Sequence, residues 1–375
     1  MSGPSPGRRL PTDSNCSRAP RTPRADGGDV TEHECTARIA LRFAHSCVVP
    51  GMHDLDQRSL LPMKPTENTL VLGSAGFIGS AITRHLCRNG ATIFALGRSE
   101  NESRENGVVR IRGSIEDSGL LREVLRECRH IVYSASITTP GTSANEPSLE
   151  ILGNLLPLSR LLECATEFPA RHLVYLSSGG TVYGDGARGA NESTPLRPRS
   201  YYGAGKVAAE ALLHACSRTT SWTTTILRPT NPYGPGQNKT KGFAIVPTLF
   251  QRALDASTFQ IWGDGSSVRD FLYIDDLASA VAAVFAAPRR GVHDVFNVSS
   301  GEVLSINELV EMCKLVSRRG IQTEYLPPRG IDVPHVSPTH AALTSATGWT
   351  PRISLRDGLT QTWDWILRNA GEQRL

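Results

Sequence analysis

No stretch of this 375-residue chain approaches the roughly 18 consecutive apolar residues that a membrane-spanning helix needs. Its eight cysteines (Cys16, Cys35, Cys47, Cys87, Cys128, Cys164, Cys216 and Cys313) include no C-x-x-C pair, and no H-x-x-x-H or Cys/His cluster accompanies them. That pattern argues against a metal centre and leaves free thiols in a reducing cytoplasm as the expectation. Charge of one sign is also scarce. The formal net charge is only +4, much of it scattered arginine, without the concentrated basic surface that nucleic acid requires. Membrane and nucleic acid are therefore not expected partners. What the chain does have is 39% hydrophobic residues, enough for a core of one large or two modest domains.

Residues 1–62 stand apart. They hold seven Pro, eight Arg and no Lys, with no sustained apolar period, the composition of a disordered tail. Acids at Asp13, Asp26, Asp29, Glu32 and Glu34 argue against an organelle transit peptide. Met63, or Met52, is the expected natural start, with the upstream stretch dispensable or an over-extended reading frame.

The first chemistry-bearing motif follows closely. Thr69-Leu-Val-Leu72 reads as a buried parallel strand. Gly73-Ser-Ala-Gly76-Phe-Ile-Gly79 comes next, and then Ala81, Ile82, His85 and Leu86 recur at helical spacing up to a stop at Asn89-Gly90. Strand, glycine turn and helix together form a pyrophosphate cradle: missing side chains admit the backbone, and the helix N-terminus offers free N–H groups. The spacing is GxxGxxG rather than GxGxxG. A second strand, Thr92 to Leu96, ends in Gly97-Arg98-Ser99, where dinucleotide folds often carry an acid for the ribose hydroxyls. Arg98 is either a 2′-phosphate ligand, which leans toward NADP, or a solvated surface residue.

Strands and helices then alternate. Strands are expected at Val108–Ile111, His130–Tyr133, His172–Leu176 and Thr223–Leu227, with helices at Leu120–Cys128, Leu149–Glu163 and onward from Tyr202 through Ala215. This predicts an α/β fold: a Rossmann-type, doubly wound parallel sheet over residues 63–230, with ligands at the carboxyl ends of its strands. From residue 231 to 375, loops rich in Gly and Pro separate short helices at Phe250–Leu254, Asp276–Phe285 and Ile306–Val316. A smaller C-terminal substrate-binding lobe, interleaved with the first, is expected there.

The second motif is Tyr202-Gly-Ala-Gly-Lys206. Tyr and Lys at i and i+4 share a helix face. A phenol has a reference pKa of about 10, too high for a base at neutral pH. A nearby ammonium and a cationic nicotinamide favour the phenolate, so that Tyr202 takes a proton from an alcohol while hydride leaves carbon. The motif follows a strand that ends Ser177-Ser178-Gly179-Gly180-Thr181-Val182-Tyr183-Gly184.

At this point the chain resembles the extended short-chain dehydrogenases/reductases of the NAD-dependent epimerase/dehydratase family, and its nucleotide-sugar 4-epimerases in particular. The supporting strings are GSAGFIGS, NLLPLSRLLECA, LSSGGTVYG, SYYGAGK, LRPTNPYGPGQ, WGDGSSVRDFLYIDDLA, FNVSSGEVLSINEL and GWTPRISLRDGL. They extend over roughly residues 68 to 368. The resemblance implies that Tyr202 is the base and Lys206 its partner, with Gly73, Gly76, Phe77, Ile78 and Gly79 around the pyrophosphate. It places Ser114 and Ile115 beside the adenine, although the family usually has Asp at Ser114. Ala135, Ser136, Asn154, Ser177 and Pro229 are implied on the cofactor, and Thr138, Asn231, Arg269 and Arg329 on a nucleotide sugar, where guanidinium forks suit phosphates. Arg269 has a second reading as a salt-bridge partner of Asp270 or Asp275. A homodimer is also implied.

The family's hydroxyl three residues before Val-Tyr-Gly is replaced by Gly179. Thr181, two residues and about 6.6 Å further along an extended strand, Ser178, or the Thr138-Thr139 hydroxyls are the expected substitutes. Family dehydratases carry an acidic pair just before Val-Tyr-Gly; Gly180 and Thr181 stand there instead, so dehydration is not expected. What remains is 4-epimerisation with tightly held NAD. The alternatives are an NADP-dependent nucleotide-sugar reductase or dehydrogenase, for which Arg98 argues, and a non-enzymatic dinucleotide sensor, a class that usually lacks the Tyr and Lys.

Overall fold

The computed structural model describes residues 67–98, 100–237, 244–330 and 332–372. The expected tail and start sites lie outside them. The apolar runs become the inner strands of one eight-stranded sheet: β1 (Thr69–Leu72), β2 (Ile93–Gly97), β3 (Ser103–Glu105), β4 (Val108–Arg112), β5 (His130–Tyr133), β6 (His172–Leu176), β7 (Thr223–Pro229) and, after the short β8 (Asn231–Tyr233), β9 (Phe259–Trp262) and β10 (Val268–Tyr273), the strand β11 (His293–Val298). The order is β11-β7-β6-β5-β1-β2-β4-β3. Only the edge strand β3, which the sequence reading missed, runs antiparallel. β1, β5, β6 and β7 are buried along their whole length, as expected of strands covered on both faces.

The chain winds outward from β1 in both directions, so the crevice between β1 and β5 is a switch point where ligands bind. Leu72 is in register with Leu96 and with Tyr133, and Tyr133 with Tyr175. The carboxyl ends of β2, β1, β5 and β6 therefore form one level row. The helix Phe77–Arg88 packs against the helix Ile274–Ala286, with Ile82 and Leu86 sharing a core with Leu277 and Val281.

Beyond residue 231, β10 pairs with β8, with β12 (Val303–Ser305) and with β14 (His335–Val336), and β9 pairs with β13 (Thr323–Leu326). β11 returns to the large sheet, Val295 opposite Ile226 and Phe296 opposite Leu227. The three expected C-terminal helices are present as Ile245–Asp255, Ile274–Ala286 and Ile306–Ser317. The helix expected over 149–163 is interrupted: a π-helical turn, Ile151–Leu155, separates Pro147–Glu150 from Leu156–Glu163. Such turns widen a helix by one residue and recur at functional sites. Among the described residues no helix is long and apolar enough to cross a membrane.

Candidate active site

The glycine turn is built for an anion. Gly73 lies at φ +89°, a conformation that L side chains rarely adopt, and a Cβ there would stand 2.7 Å from the backbone nitrogen of Ala135. At Gly79 a Cβ would stand 2.7 Å from the Ser134 hydroxyl and closer still to the Gly73 carbonyl. The helix Phe77–Arg88 starts at Gly76 with no side-chain cap, so its first N–H groups and the positive end of its dipole face outward for a pyrophosphate. Ala135 and Ser136 follow β5 across this crevice, and Ser114 and Ile115 follow β4. The Ser114 hydroxyl accepts from the Glu116 N–H at 3.2 Å. These residues fit a dinucleotide.

The sequence reading found no acid at the end of β2, and in linear order that holds. In space Glu100 supplies one. It is 5% exposed, and it folds back so that its Cγ lies 3.3 Å from where a Cβ on Gly97 would be. Its carboxylate accepts a hydrogen bond from Ser74 of the glycine turn (2.6 Å) and one from Arg110 of β4 (2.8 Å). Arg98 is exposed on the turn between Gly97 and Glu100.

Tyr202 and Lys206 lie in the first turns of the helix Tyr201–Thr219, whose start is fixed by the Ser200 hydroxyl accepting from the Gly203 N–H at 3.1 Å. Lys206 is buried. Its ammonium donates to the Leu176 carbonyl at 2.9 Å and to the Tyr175 hydroxyl at 3.3 Å, and stands 5.6 Å from the Tyr202 ring centre. Burial pushes the Lys206 ammonium down to about 8, with Glu150 and Glu210 opposing. Tyr202 does not behave as expected from an ammonium alone. Burial raises its phenol above the ordinary value, Glu150 adds to that, and a hydrogen bond with Ser178 works the other way. Desolvation of the phenolate outweighs the Ser178 hydrogen bond.

Of the expected substitute hydroxyls, Ser178 is the one that hydrogen-bonds Tyr202. The extended geometry assumed for Thr181 does not hold. β6 ends at Leu176, and the chain turns, with the Thr181 and Val182 N–H groups both donating to the Ser178 carbonyl at 3.2 Å. The Thr181 hydroxyl is buried without a partner among the described residues. Gly179 is where it is because its Cβ would stand 2.6 Å from the Arg228 carbonyl, and its N–H donates to the Pro229 carbonyl at 2.8 Å. Thr138 instead accepts from Asn154 at 2.6 Å. Asn154 sits in the π turn, accepts from the Ile137 N–H at 3.0 Å, and also donates to Glu150 at 2.8 Å.

A second layer was not legible beforehand. Ser177, expected on the cofactor, gives its hydroxyl to Glu210. Glu210, one turn beyond Lys206, holds Arg228 through both carboxylate oxygens (2.6 and 3.1 Å). Arg228 donates to the Tyr183 hydroxyl at 2.8 Å, which donates to Asn297 at 2.6 Å. The network ties the helix of Tyr202 to β7, to the turn after β6 and to β11. It is fully paired, as a buried ion pair must be.

Of the residues expected on a nucleotide sugar, Asn231 donates to the Asp270 carbonyl at 2.8 Å. The Asp270 carboxylate is taken up by Thr230, Ser300 and the Gly301 N–H. It does not pair with Arg269, which donates to the Val268 carbonyl at 2.8 Å. Among the described residues Arg269 has no ion pair with Asp270 or Asp275. Burial lowers its guanidinium below the ordinary value. Arg329 grips Asp332 through two bonds of 3.0 Å and stands 5.1 Å from the Trp262 ring centre.

Comparison with known proteins identifies the family. Residues 69–299 match the NAD dependent epimerase/dehydratase family, and the chain belongs to it. It is an enzyme of the extended short-chain dehydrogenase/reductase type, with a nicotinamide dinucleotide as its cofactor. It is 34% identical to the UDP-glucose 4-epimerase of Mycolicibacterium smegmatis over 311 residues, 80% of this chain and 98% of that one. Its fold matches a UDP-glucose 4-epimerase of Thermotoga maritima solved with UDP-glucose (TM-score 0.75, 27% identity, 81% of this chain and 99% of that one). A UDP-glucose 4-epimerase of Thermus thermophilus in complex with NAD matches at TM-score 0.73 and 28% identity, over 80% and 99% of the two chains.

Proposed function

We propose that this enzyme is a nucleotide-sugar 4-epimerase that acts by transient hydride transfer. The observation that carries the reading is the convergence of Tyr202, Ser178 and Lys206 at the carboxyl end of β6, across the crevice from the glycine turn. A bound nicotinamide would supply reversible hydride uptake from the sugar carbon. Gly73, Gly76, Phe77, Ile78 and Gly79 would hold its pyrophosphate, and Lys206 its nicotinamide ribose. Tyr202 takes the proton of the sugar hydroxyl in the first half of the cycle and gives it back in the second, with Ser178 fixing the direction of the shared hydrogen bond. Asn231, Arg269 and Arg329 are the residues of the smaller lobe for the nucleotide diphosphate. The test is to incubate the purified enzyme with a panel of UDP-, GDP- and dTDP-sugars without added cofactor and follow inversion at C4. Inversion supports the reading, and turnover that requires added NADPH contradicts it.

Glu100 supports NAD in preference to NADP. Its carboxylate, held by Ser74 and Arg110, lies beside Gly97 at the end of β2, where an acid suits ribose hydroxyls better than a 2′-phosphate. The NADP-reductase reading keeps one observation in its favour, the exposed Arg98 on the same turn.

The homodimer belongs to the same proposal. Ile151, Leu152 and Leu156 are exposed at and beside the π turn, and Leu212 on the adjoining helix Tyr201–Thr219. Together they form an apolar face of the kind that marks an interface. Light scattering on the native chain and on Leu152→Glu checks it, with a monomer expected only from the variant. The five cysteines among the described residues are unpaired, which fits a reducing compartment, and the cytoplasm is the proposed location.

A further inference from the structure

One buried acid at the site has no part in the mechanism above. Glu150 is 4% exposed. It ends the short helix Pro147–Glu150, just before the π turn, and that helix packs against Tyr201–Thr219. The contact is made at Gly205, the residue before Lys206. A Cβ on Gly205 would stand 2.8 Å from Glu150 Oε2, so the glycine of the motif makes room for the carboxylate. Oε2 accepts from Asn154 at 2.8 Å. Oε1 is buried with no hydrogen-bond partner among the described residues. A buried carboxylate oxygen left unpaired costs free energy and therefore calls for a compensating interaction.

The titratable groups around it supply that interaction. Lys206 and Tyr202, on the helix Tyr201–Thr219, and Tyr175, on β6, each feel its charge. Glu210, on the same helix, acts on Lys206 and Tyr175 but is itself held by Arg228 and Ser177. Thr138 lies on the far side of Asn154. We propose that Glu150 is the buried counter-charge of Lys206, a positioning residue that keeps the ammonium charged beside Tyr202.

The role suits a two-way reaction. The inference rests on the epimerase reading, in which Tyr202 must bind a proton in one half-cycle and release it in the next. Such a group needs its partner ammonium to stay charged through both half-cycles. A buried ammonium without a balancing charge would lose its proton, as the burial of Lys206 already favours. Glu150 raises the proton affinity of both groups together, and Asn154, fixed by the π turn, holds the carboxylate in place.

The test reads the two groups directly in the purified enzyme. Phenolate formation at Tyr202 is followed by ultraviolet difference absorbance between each protein and its Tyr202→Phe counterpart. Lys206 is followed by carbon-13 NMR of lysine-labelled protein, where the chain's five lysines give a sparse spectrum and Lys206→Ala identifies the signal. Glu150→Gln keeps the size and the Asn154 bond but removes the charge. Both titrations are expected to move down by about one pH unit, the scale of losing a nearby opposite or like charge. Glu150→Asp is expected to keep both near their native positions. If Glu150→Gln does not fold, Gly205→Ala, whose methyl displaces the carboxylate from a helix that tolerates alanine well, is expected to move both in the same direction. Native titrations in a folded Glu150→Gln or Gly205→Ala overturn the proposal. So does an equal shift in Glu150→Asp, which would assign the effect to shape rather than charge. Neither titration needs turnover, so an enzyme without epimerase activity overturns the function and leaves this result readable.

Discussion

The carboxylate of Glu100 occupies the space in front of Gly97, its Cγ 3.3 Å from where a Gly97 side chain would begin. We propose that this residue, three positions downstream, serves as the strand-end acid. NAD is expected to bind more tightly than NADP. Glu100→Gln should weaken NAD by about 1.5–3 kcal/mol, the range for a charged hydrogen bond, and narrow its lead over NADP. Arg98→Ala should change neither greatly. Calorimetric titration of the apo protein with both dinucleotides checks this; tighter NADP binding that Arg98→Ala abolishes would restore the reductase.

Removal of the Tyr202 hydroxyl takes away the proton carrier but leaves the glycine cradle untouched. Turnover of Tyr202→Phe should fall by roughly 10²- to 10⁴-fold, the usual contribution of general acid–base catalysis, with NAD affinity nearly unchanged. Steady-state rates beside a binding titration decide it, and near-native turnover removes Tyr202 from the chemistry.

Such residues were legible because their signals are local. A strand, three glycines and a helix within twenty positions can be read from period and residue type, as can Tyr and Lys one helical turn apart. The parallel sheet followed from the same alternation. What could not be read depends on folding back or on distance in sequence. Glu100 returns across a turn. Glu150 meets Gly205, and Glu210 meets Arg228, only because helices and strands pack as they do. That Ser178 rather than Thr181 meets Tyr202 turned on β6 ending at Leu176, since strand boundaries are the least determined part of a sequence pattern. One signal was present for Glu150: a lone acid in the otherwise apolar stretch Leu149-Glu-Ile-Leu152.

The Arg228–Glu210 pair, with side chains 5% and 7% exposed, is expected to hold the helix of Tyr202 in place. Arg228→Leu leaves a buried carboxylate unpaired and should cost about 3–5 kcal/mol in urea unfolding. Arg228→Leu combined with Glu210→Leu should recover much of that loss. If the double variant is as unstable as the sum of the singles, the two residues do not act as a pair.

The pH dependence of turnover should follow Lys206. Burial lowers its ammonium to about 8, far below the ordinary lysine value. The ammonium is therefore intact below that pH and is lost as pH rises through it, so the rate should fall on the alkaline side near 8. Folding stability has the opposite sign: the unfolded chain holds this proton to higher pH, so the Lys206 contribution makes the protein more stable as pH rises between the two values. A turnover profile flat to pH 10 would contradict the assignment.

Transient hydride transfer makes a demand that no other chemistry at this site shares. A substrate nucleotide sugar carrying deuterium at C4 should be converted to its C4 epimer with the label still on C4, because the hydrogen that leaves the carbon returns to it. NMR of the product in ordinary water reads this directly. Retention of the label at C4 of the inverted sugar is the expected result. Loss of deuterium to solvent, or its accumulation in released reduced dinucleotide beside a keto-sugar, would contradict it.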